Sequence, residues 1–250
     1  MAGTVLITGG SRGIGRAVVE ALASGASGGS GAGGGEWEAV AFTYRADEAA
    51  ARSLEAATGA RAFALDLVDR SRPDDLLAEV ETVLPPVGGL VNNAGLLRES
   101  LLALTSDADW DAVVDVNLGG LFRCCRAVLR GMMTRRRGAI VNVASLSALH
   151  GVAGQAAYAA AKAGVLGLTR SLAREVGKRN VRVNAVVPGF VATDMTAGLP
   201  AEAVKALRAG ECLPAGTSAA AVADAVVFLL SARAAAITGQ ALVVDAGASA

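Results

Sequence analysis

Short apolar runs alternate with longer amphipathic segments along the whole chain. Runs rich in Val, Ile and Ala predict strands at 4–8, 39–44, 61–65, 89–92, 139–144, 181–187 and 241–245. Helical patterns lie between them, at 14–24, 74–84, 109–134, 154–177 and 219–230. Because strands that alternate with helices form βαβ units, the pattern predicts an α/β fold: one domain over residues 1–250 with a doubly wound, seven-stranded parallel sheet.

One segment interrupts this alternation. Residues 24–35 are only Gly, Ser and Ala, a composition that buries too little apolar surface to order a chain. We expect a flexible surface loop there. A phosphate-binding loop is the alternative, but such a loop follows a strand and precedes a helix, whereas this segment follows a predicted helix.

Composition narrows the function classes. The 23 basic and 23 acidic residues balance, so no overall field attracts nucleic acid or an anionic membrane. Cys124, Cys125 and Cys212 lack the spacing of a disulfide framework or a metal site. The apolar stretch 219–230 is too short for a membrane span, and only three residues precede the first predicted strand. We therefore expect a cytoplasmic protein, with the mitochondrial matrix or a plastid as the alternative.

The first predicted strand runs into the glycine-rich turn TGGSRGIG at 8–15, and a helix follows directly. Glycines permit a tight turn and a close backbone approach, while the helix N-terminus offers free N–H groups to a pyrophosphate. The position of the turn predicts a Rossmann-type dinucleotide site. Its candidate contacts are Gly9, Ser11, Arg12, Gly13, Ile14 and Gly15.

The end of the second strand indicates which dinucleotide is bound. An acidic residue there would accept from the ribose 2′-hydroxyl, but this strand ends in Tyr44 and Arg45. Arg45 and Arg12 can bind a 2′-phosphate, which favours NADP(H). The alternative is that Arg45 only precedes a solvated helix. Further candidate cofactor contacts follow the third and fourth strands: Asp66, Leu67, Asn93, Ala94 and Gly95.

Tyr158 and Lys162 lie one helical turn apart on the predicted helix 154–177. A phenol is a poor acid near neutrality, but an adjacent ammonium and the positive nicotinamide ring of an oxidised cofactor are both expected to lower its pKa, so that Tyr158 exchanges a proton. The alternative is a chance pairing on one helix face. Ser145 ends the fifth strand at the sheet edge where ligands bind, and Asn117 can disturb its helix and hold a water near Lys162.

Several ordered motifs together resemble the short-chain dehydrogenase/reductases over nearly the whole chain. They are TGGSRGIG at 8–15, NNAG at 92–95, Asn117, Ser145, the Y-x-x-x-K of 158–162, and Pro188-Gly189 followed by Thr193. The resemblance implies a catalytic tetrad of Asn117, Ser145, Tyr158 and Lys162. It also implies that Tyr158 and Lys162 adjoin the nicotinamide ribose and that Pro188, Gly189, Val191 and Thr193 contact the carboxamide. The implied reaction is hydride transfer to a carbonyl carbon, with Tyr158 protonating the oxygen and Ser145 stabilising it.

Within that family, strings at 138–143, 171–176, 186–195 and 237–240 are similar to β-ketoacyl-acyl-carrier-protein reductases and to the animal carbonyl reductase of mitochondrial fatty acid synthesis. This similarity implies reduction of a 3-oxoacyl thioester on acyl carrier protein. A broad carbonyl or quinone reductase, or an alcohol dehydrogenase acting on free small molecules, remains open. A non-catalytic cofactor-binding partner subunit is the rival of another class, and the complete tetrad argues against it.

Two basic segments, 135–137 and 178–179, suggest a patch near the active-site mouth that attracts an acidic carrier protein. By resemblance, Arg136 and Arg179 match the carrier-docking arginines. The alternative is that basic residues favour helix C-termini. The only histidine, His150, invites a triad with Ser145, but the serine lacks a nucleophile elbow, so we expect His150 to line the substrate loop.

Two segments depart from the family pattern, 212–217 and 245–247. They lie near the expected substrate lid, at about 190–216, or near tetramer contacts, which leaves substrate size and assembly open. The small side chains of 156–167 allow close helix packing and predict a homotetramer in which long helices pair across a two-fold axis. A hetero-tetramer with a related subunit is the alternative.

Overall fold

The computed structural model describes residues 3–26, 37–198 and 200–250. Its strands are β1 (Thr4–Thr8), β2 (Ala39–Tyr44), β3 (Arg61–Ala64), β4 (Val87–Asn92), β5 (Gly138–Val143), β6 (Val181–Pro188) and β7 (Ala241–Val244). They pair in parallel in the order β3-β2-β1-β4-β5-β6-β7. This architecture confirms the predicted doubly wound parallel sheet.

Helices cover both faces of the sheet. They are α1 (Gly13–Ala26), α2 (Glu48–Thr58), α3 (Arg72–Val83), α4 (Asp107–Val114), α5 (Leu121–Arg135), α6 (Ser147–His150), α7 (Ala156–Val176), α8 (Ala201–Arg208) and α9 (Ala219–Leu230). One core cluster joins the sheet to α1, α2 and α9, and the other joins it to α3, α5 and α7. Val5 and Ile7 of β1 enter the first cluster and Leu6 the second, because successive strand residues point to opposite faces. Strands buried on both faces therefore read as continuous apolar runs.

The long helix predicted at 109–134 is interrupted in the structure. A π-helical turn, Asp115–Gly120, separates α4 from α5. Asn117 lies in this turn, and its Nδ2 donates to the carbonyl oxygens of Val113 (2.8 Å) and Leu96 (2.7 Å). A side chain that bonds to the preceding turn competes with the regular ladder. The predicted disturbance at Asn117 is confirmed, whereas the single continuous helix is wrong.

The predicted loop 24–35 begins too early. The helix α1 continues to Ala26, and the Ser24 hydroxyl donates to the Ala21 carbonyl within it (3.0 Å). The rest of the predicted loop lies outside the described residues. The sequence pattern also does not delimit α2, α6 or α8.

Candidate active site

A cleft of about 740 Å³ runs along the carboxyl edge of the sheet. Because all the strands are parallel, the segments that follow β1 to β6 converge there. The residues expected from the sequence that line it are Gly9, Ser11, Arg12, Gly13, Ile14, Tyr44, Arg45, Asp66, Leu67, Asn93, Ala94, Gly95, Ser145, His150, Tyr158, Lys162, Pro188, Gly189, Val191 and Thr193. Gly15 and Asn117 lie just behind this lining, against Gly9 and Gly95 respectively.

The glycine turn is built from contacts that exclude larger side chains. Gly9 has φ +65°, and a Cβ there would lie 2.9 Å from the Ala94 Cα. A Cβ on Gly15 would lie 2.2 Å from the Gly9 carbonyl oxygen. Asn93 holds the same turn, because its Nδ2 donates to the carbonyl oxygens of Thr8 (3.1 Å) and Gly9 (2.9 Å).

The turn places the first residues of α1, Gly13 and Ile14, in the wall of the cleft. The first N–H groups of a helix have no intrahelical acceptor and carry a partial positive charge. This end of the cleft therefore fits the pyrophosphate of a dinucleotide.

The turn after β1 and the end of β2 each bring one cation to the cleft, Arg12 and Arg45 respectively. Arg12 and Arg45 are exposed and line it, and within the described ranges neither forms an ion pair. Tyr44 beside them is buried. The Asp66 carboxylate accepts from the Val68 backbone N–H (3.0 Å) in a local turn. The surroundings of the two guanidiniums fit a ligand carrying an additional phosphate, and the adenine contact of Asp66 stays a prediction.

Tyr158 and Lys162 lie on one face of α7, as the spacing predicts. Lys162 is 3% exposed, and its Nζ donates to the Val143 carbonyl oxygen at 2.8 Å. The same Nζ lies 5.6 Å from the centroid of the Tyr158 ring. Burial lowers the pKa of Lys162 to about 8, because the interior disfavours the ammonium.

The pKa of Tyr158 moves the other way from the sequence prediction. Burial raises it, and the neighbouring Ser145 hydroxyl opposes that rise. The expectation that the Lys162 ammonium lowers the pKa of Tyr158 is wrong as far as the protein's own groups are concerned. The physical reason is that burial removes solvation from the phenolate, while the Lys162 ammonium is directed at the Val143 carbonyl oxygen. Tyr158 therefore keeps its proton near neutral pH, which is the form that a proton donor needs.

Asn117 and Lys162 approach each other behind Gly95. A Cβ on Gly95 would lie 2.8 Å from Asn117 Oδ1 and 3.8 Å from Lys162 Nζ. Asn117 is buried, and its Oδ1 accepts from the Leu96 N–H at 3.3 Å. The structure thus assembles the four expected tetrad residues in one place. The water proposed to join Asn117 and Lys162 stays a prediction.

Ser145 follows the end of β5. Its Oγ accepts from the Ser147 backbone N–H (3.2 Å) and lies 3.3 Å from Ser147 Oγ. In the described part of the chain its hydrogen-bond partners do not include His150, which ends α6 and lines the cleft. A Ser145–His150 triad therefore gains no support from the geometry.

Comparison with known proteins identifies the family. A family model described as Enoyl-(Acyl carrier protein) reductase matches residues 9–249. Proteins described as 3-oxoacyl-[acyl-carrier-protein] reductase are 40% identical over 245 residues in Chlamydia muridarum and 42% identical over 249 residues in Vibrio cholerae. Each alignment covers 97% of this chain and 95% of the relative. The chain belongs to the short-chain dehydrogenase/reductase family. It is thus an oxidoreductase that acts on CH–OH and C=O groups with a nicotinamide cofactor.

A solved structure agrees with this short-chain reductase fold. The crystal structure described as ribose-5-phosphate isomerase from Brucella melitensis is 38% identical and superposes with a TM-score of 0.86. The match covers 99% of this chain and 92% of the other. The reactions named for these similar proteins differ, so the chemistry of the cleft must discriminate among them.

The expected position of the carrier-docking arginines is wrong for this short-chain reductase. Arg136 directly follows α5 and Arg179 precedes β6, and Gly138 and Val181 pair at the amino ends of β5 and β6. The cleft lies at the carboxyl ends, about 20 Å away along a six-residue strand. Parallel strands require this separation, because each connecting helix returns to the amino edge. The two segments do meet, since Arg136 Nη2 donates to the Lys178 carbonyl oxygen (3.1 Å).

Sequence reasoning missed a polar chain and an apolar wall in the cleft. The polar chain joins Ser145 to Ser147, Gln155 and Glu99. The apolar wall consists of Leu97, Val152, Phe190, Met195 and Leu207. Gln155 precedes α7 and so is close to Tyr158 in sequence, but no local signal relates Glu99 to it.

Other expectations concern sites outside the cleft of this reductase. Within the described ranges, no helix has both the length and the apolar character needed to cross a membrane. The same residues contain no cluster of three or more His, Cys, Asp or Glu side chains placed to hold a metal ion. Cys124, Cys125 and Cys212 are all free thiols, and the first two are buried.

Proposed function

We propose that this protein reduces the 3-oxo group of an acyl thioester, carried by acyl carrier protein, to a 3-hydroxyl group with NADPH. The observation that carries the proposal is the convergence of the half-buried Tyr158 with Ser145 and Lys162 at one end of the cleft. The reaction named for the Chlamydia and Vibrio relatives supports the choice of substrate.

The residues of the cleft fit NADP(H) along its length. The glycine turn and the start of α1 would hold the pyrophosphate, and Arg12 and Arg45 the 2′-phosphate. Residues 93–95 would lie against the nicotinamide ribose, with Lys162 and Tyr158, and residues 188–193 against the carboxamide. When bound, the cofactor supplies the hydride that the carbonyl carbon accepts.

The side chains supply the proton and the electrostatic stabilisation of the charge that develops during the reaction. Tyr158 donates its hydroxyl proton to the carbonyl oxygen, so that the carbonyl gains one hydride and one proton in total. Ser145 donates a hydrogen bond to the same oxygen as negative charge develops on it. The Lys162 ammonium stabilises the resulting phenolate. Asn117 keeps the π-helical turn open and orders the water through which a proton returns to Lys162 and Tyr158.

The apolar wall suits an acyl chain. Phe190, Met195 and Leu207 come from the segment expected to form the lid, at about 190–216, and Leu207 lies on α8. Arg208 of α8 stacks on the Phe190 ring at 5.6 Å. We propose that α8 covers the acyl chain during reduction.

We also propose a homotetramer. On α7, Ala160, Ala163 and Gly167 are exposed, and nothing lies within 4 Å of a Cβ built on Gly167. Phe122 on α5 is 46% exposed. Small residues beside an exposed ring suit close pairing of these helices with a second copy. Light scattering should give four times the chain mass, and a mass of one chain would contradict the proposal.

The substrate proposal is tested by NADPH oxidation with a panel of substrates. The panel contains acetoacetyl and crotonyl thioesters on acyl carrier protein, a free acetoacetyl thioester, a quinone and ribose 5-phosphate. We expect the carrier-bound 3-oxo thioester to give the highest kcat/KM. Faster crotonyl reduction would indicate an enoyl reductase, and equal rates on carrier-bound and free thioesters would indicate a reductase of small molecules. Cofactor binding without turnover of any substrate would indicate a non-catalytic subunit.

A further inference from the structure

A chain of hydrogen bonds leads from Ser145 to the protein surface. Ser145 Oγ lies 3.3 Å from Ser147 Oγ, and Ser147 Oγ donates to Gln155 Oε1 at 2.9 Å. Gln155 Nε2 then donates to Glu99 Oε1 at 2.7 Å. The three added residues all line the cleft, but none of them belongs to the expected tetrad.

Backbone contacts hold the outer end of this chain in place. The Ser100 N–H donates to the Gly154 carbonyl oxygen at 2.9 Å, which joins the Glu99 loop to the loop before α7. The Gln155 N–H donates to the Val152 carbonyl oxygen at 3.0 Å. Glu99 and Gln155, which are 56 positions apart, therefore meet through a fixed backbone contact.

The Glu99 carboxylate determines the direction of every bond in the chain. An ionised carboxylate only accepts, so the Gln155 amide must turn its Nε2 toward Glu99 and its Oε1 toward Ser147. Ser147 then donates its single hydroxyl proton to Gln155 Oε1. Ser147 consequently accepts the Ser145 hydroxyl proton on its lone pair and donates its backbone N–H to the Ser145 oxygen. When a substrate carbonyl binds, the Ser145 proton turns to the carbonyl oxygen, while the Ser147 N–H continues to hold the Ser145 oxygen.

We propose that Gln155, oriented by Glu99, is a positioning residue that holds Ser145 through Ser147 in the place where it meets the substrate carbonyl. This inference rests on the proposed function, because it assigns the chain to the carbonyl-binding serine. Gln155 does not touch the reacting atoms in this account. It acts on the rate of the chemical step, and not on binding of the dinucleotide.

The test exchanges the two outer side chains. In Gln155→Glu, two carboxylates face each other at the position of the 2.7 Å bond. The series of hydrogen bonds is therefore interrupted between residues 99 and 155. In the double variant E99Q/Q155E, the amide of residue 99 donates to the carboxylate of residue 155, which still accepts from Ser147. The direction of the bond at Ser147 is thereby restored.

We expect Q155E to lower kcat about tenfold or more, since small misplacements of a reacting group are costly, with the KM for NADPH unchanged. The double variant should recover kcat to within about threefold of the wild type, a ratio that corresponds to roughly 0.7 kcal/mol. Gln240→Glu, which adds the same charge at an exposed glutamine, should leave kcat unchanged. Retention of wild-type kcat by Q155E, or no recovery in the double variant while both proteins remain folded, would overturn the proposal.

A second measurement establishes whether the effect passes through Ser145. In a Ser145→Ala background, Q155E should lower kcat no further, because the group that it positions is absent. Additive losses would show that Gln155 acts elsewhere and would overturn the positioning role. Failure of the proposed function gives a different result, namely a wild-type enzyme that does not reduce the 3-oxo thioester.

Discussion

The Nζ of Lys162 lies 5.6 Å from the centre of the Tyr158 ring, one helical turn away on α7. The ammonium bonds to the Val143 carbonyl and leaves the phenol protonated. The pair is therefore ready to donate a proton, and Lys162 is placed to stabilise the phenolate that results.

The depressed pKa of Lys162 makes stability depend on pH. An unfolded chain binds the lysine proton up to a pKa near 10.5, whereas burial lowers the folded value to about 8. Between these values the unfolded state binds more protons, so the free energy of unfolding should rise with pH, by roughly 3 kcal/mol at most. Below about pH 8 the full penalty of the buried ammonium remains. Urea unfolding of the cofactor-free protein from pH 7 to pH 10.5 measures the rise. Lys162→Met should flatten it, while the exposed Lys178→Met should not; equal curves for all three proteins would contradict the assignment.

Gly95 separates Asn117 from the cofactor cleft. In Gly95→Ala, the new Cβ would meet Asn117 Oδ1 at 2.8 Å, so the asparagine or the π-helical turn must shift. We expect a loss of about 1–3 kcal/mol in stability and a large fall in kcat. Gly177→Ala is the control, because nothing lies within 4 Å of its Cβ. Thermal unfolding and turnover should separate the two variants, and a fully active Gly95→Ala enzyme would refute the packing argument.

Arg45 should determine the choice between the two nicotinamide dinucleotides. Arg45→Asp removes a cation from the cleft and adds an anion that repels a 2′-phosphate. We expect kcat/KM for NADPH to fall about 10- to 100-fold, the worth of one charge-assisted contact, while kcat/KM for NADH stays equal or rises. A parallel fall with both cofactors would mean that Arg45 supports the fold and not the selection of phosphate.

Arg179 lies at the amino edge of the sheet, so it can guide a carrier protein only to the cleft of another copy. Arg179→Glu should raise the KM for the carrier-bound substrate at least threefold and leave the free thioester unaffected. The free thioester is one control. High salt is the other, and it should reduce the difference in KM between Arg179→Glu and the wild type. In mixed tetramers of Arg179→Glu and Tyr158→Phe chains, the KM for the carrier-bound substrate should return toward the wild-type value, because the only active clefts then lie beside intact arginines of other copies. An unchanged KM in Arg179→Glu would refute docking at this patch, and mixtures that keep the raised KM would refute docking across subunits.

The sequence predicts those features that are encoded locally. The bounds of β1 and β2 agree with the prediction because these strands are buried apolar runs, and the spacing of Tyr158 and Lys162 places them on one face of α7. The glycine turn is also recognisable locally from its position between a strand and a helix, and a Cβ on Gly15 would clash with the Gly9 carbonyl within the turn itself.

The features that sequence reasoning missed depend on residues distant along the chain. Glu99 meets Gln155 through a loop contact that no periodicity records. To predict where Arg136 and Arg179 lie, one must know the direction in which β5 and β6 run, and composition alone does not give it. The raised pKa of Tyr158 follows from how deeply the folded protein covers its ring.

The most direct test of the account is turnover by Tyr158→Phe, a change that removes only the hydroxyl. NADPH binding, followed by the fluorescence of the cofactor, and the circular dichroism spectrum should match the wild type. We expect kcat for the carrier-bound 3-oxo thioester to fall at least about 100-fold, the usual contribution of a positioned acid. A folded, NADPH-binding Tyr158→Phe enzyme with wild-type turnover would contradict the central claim.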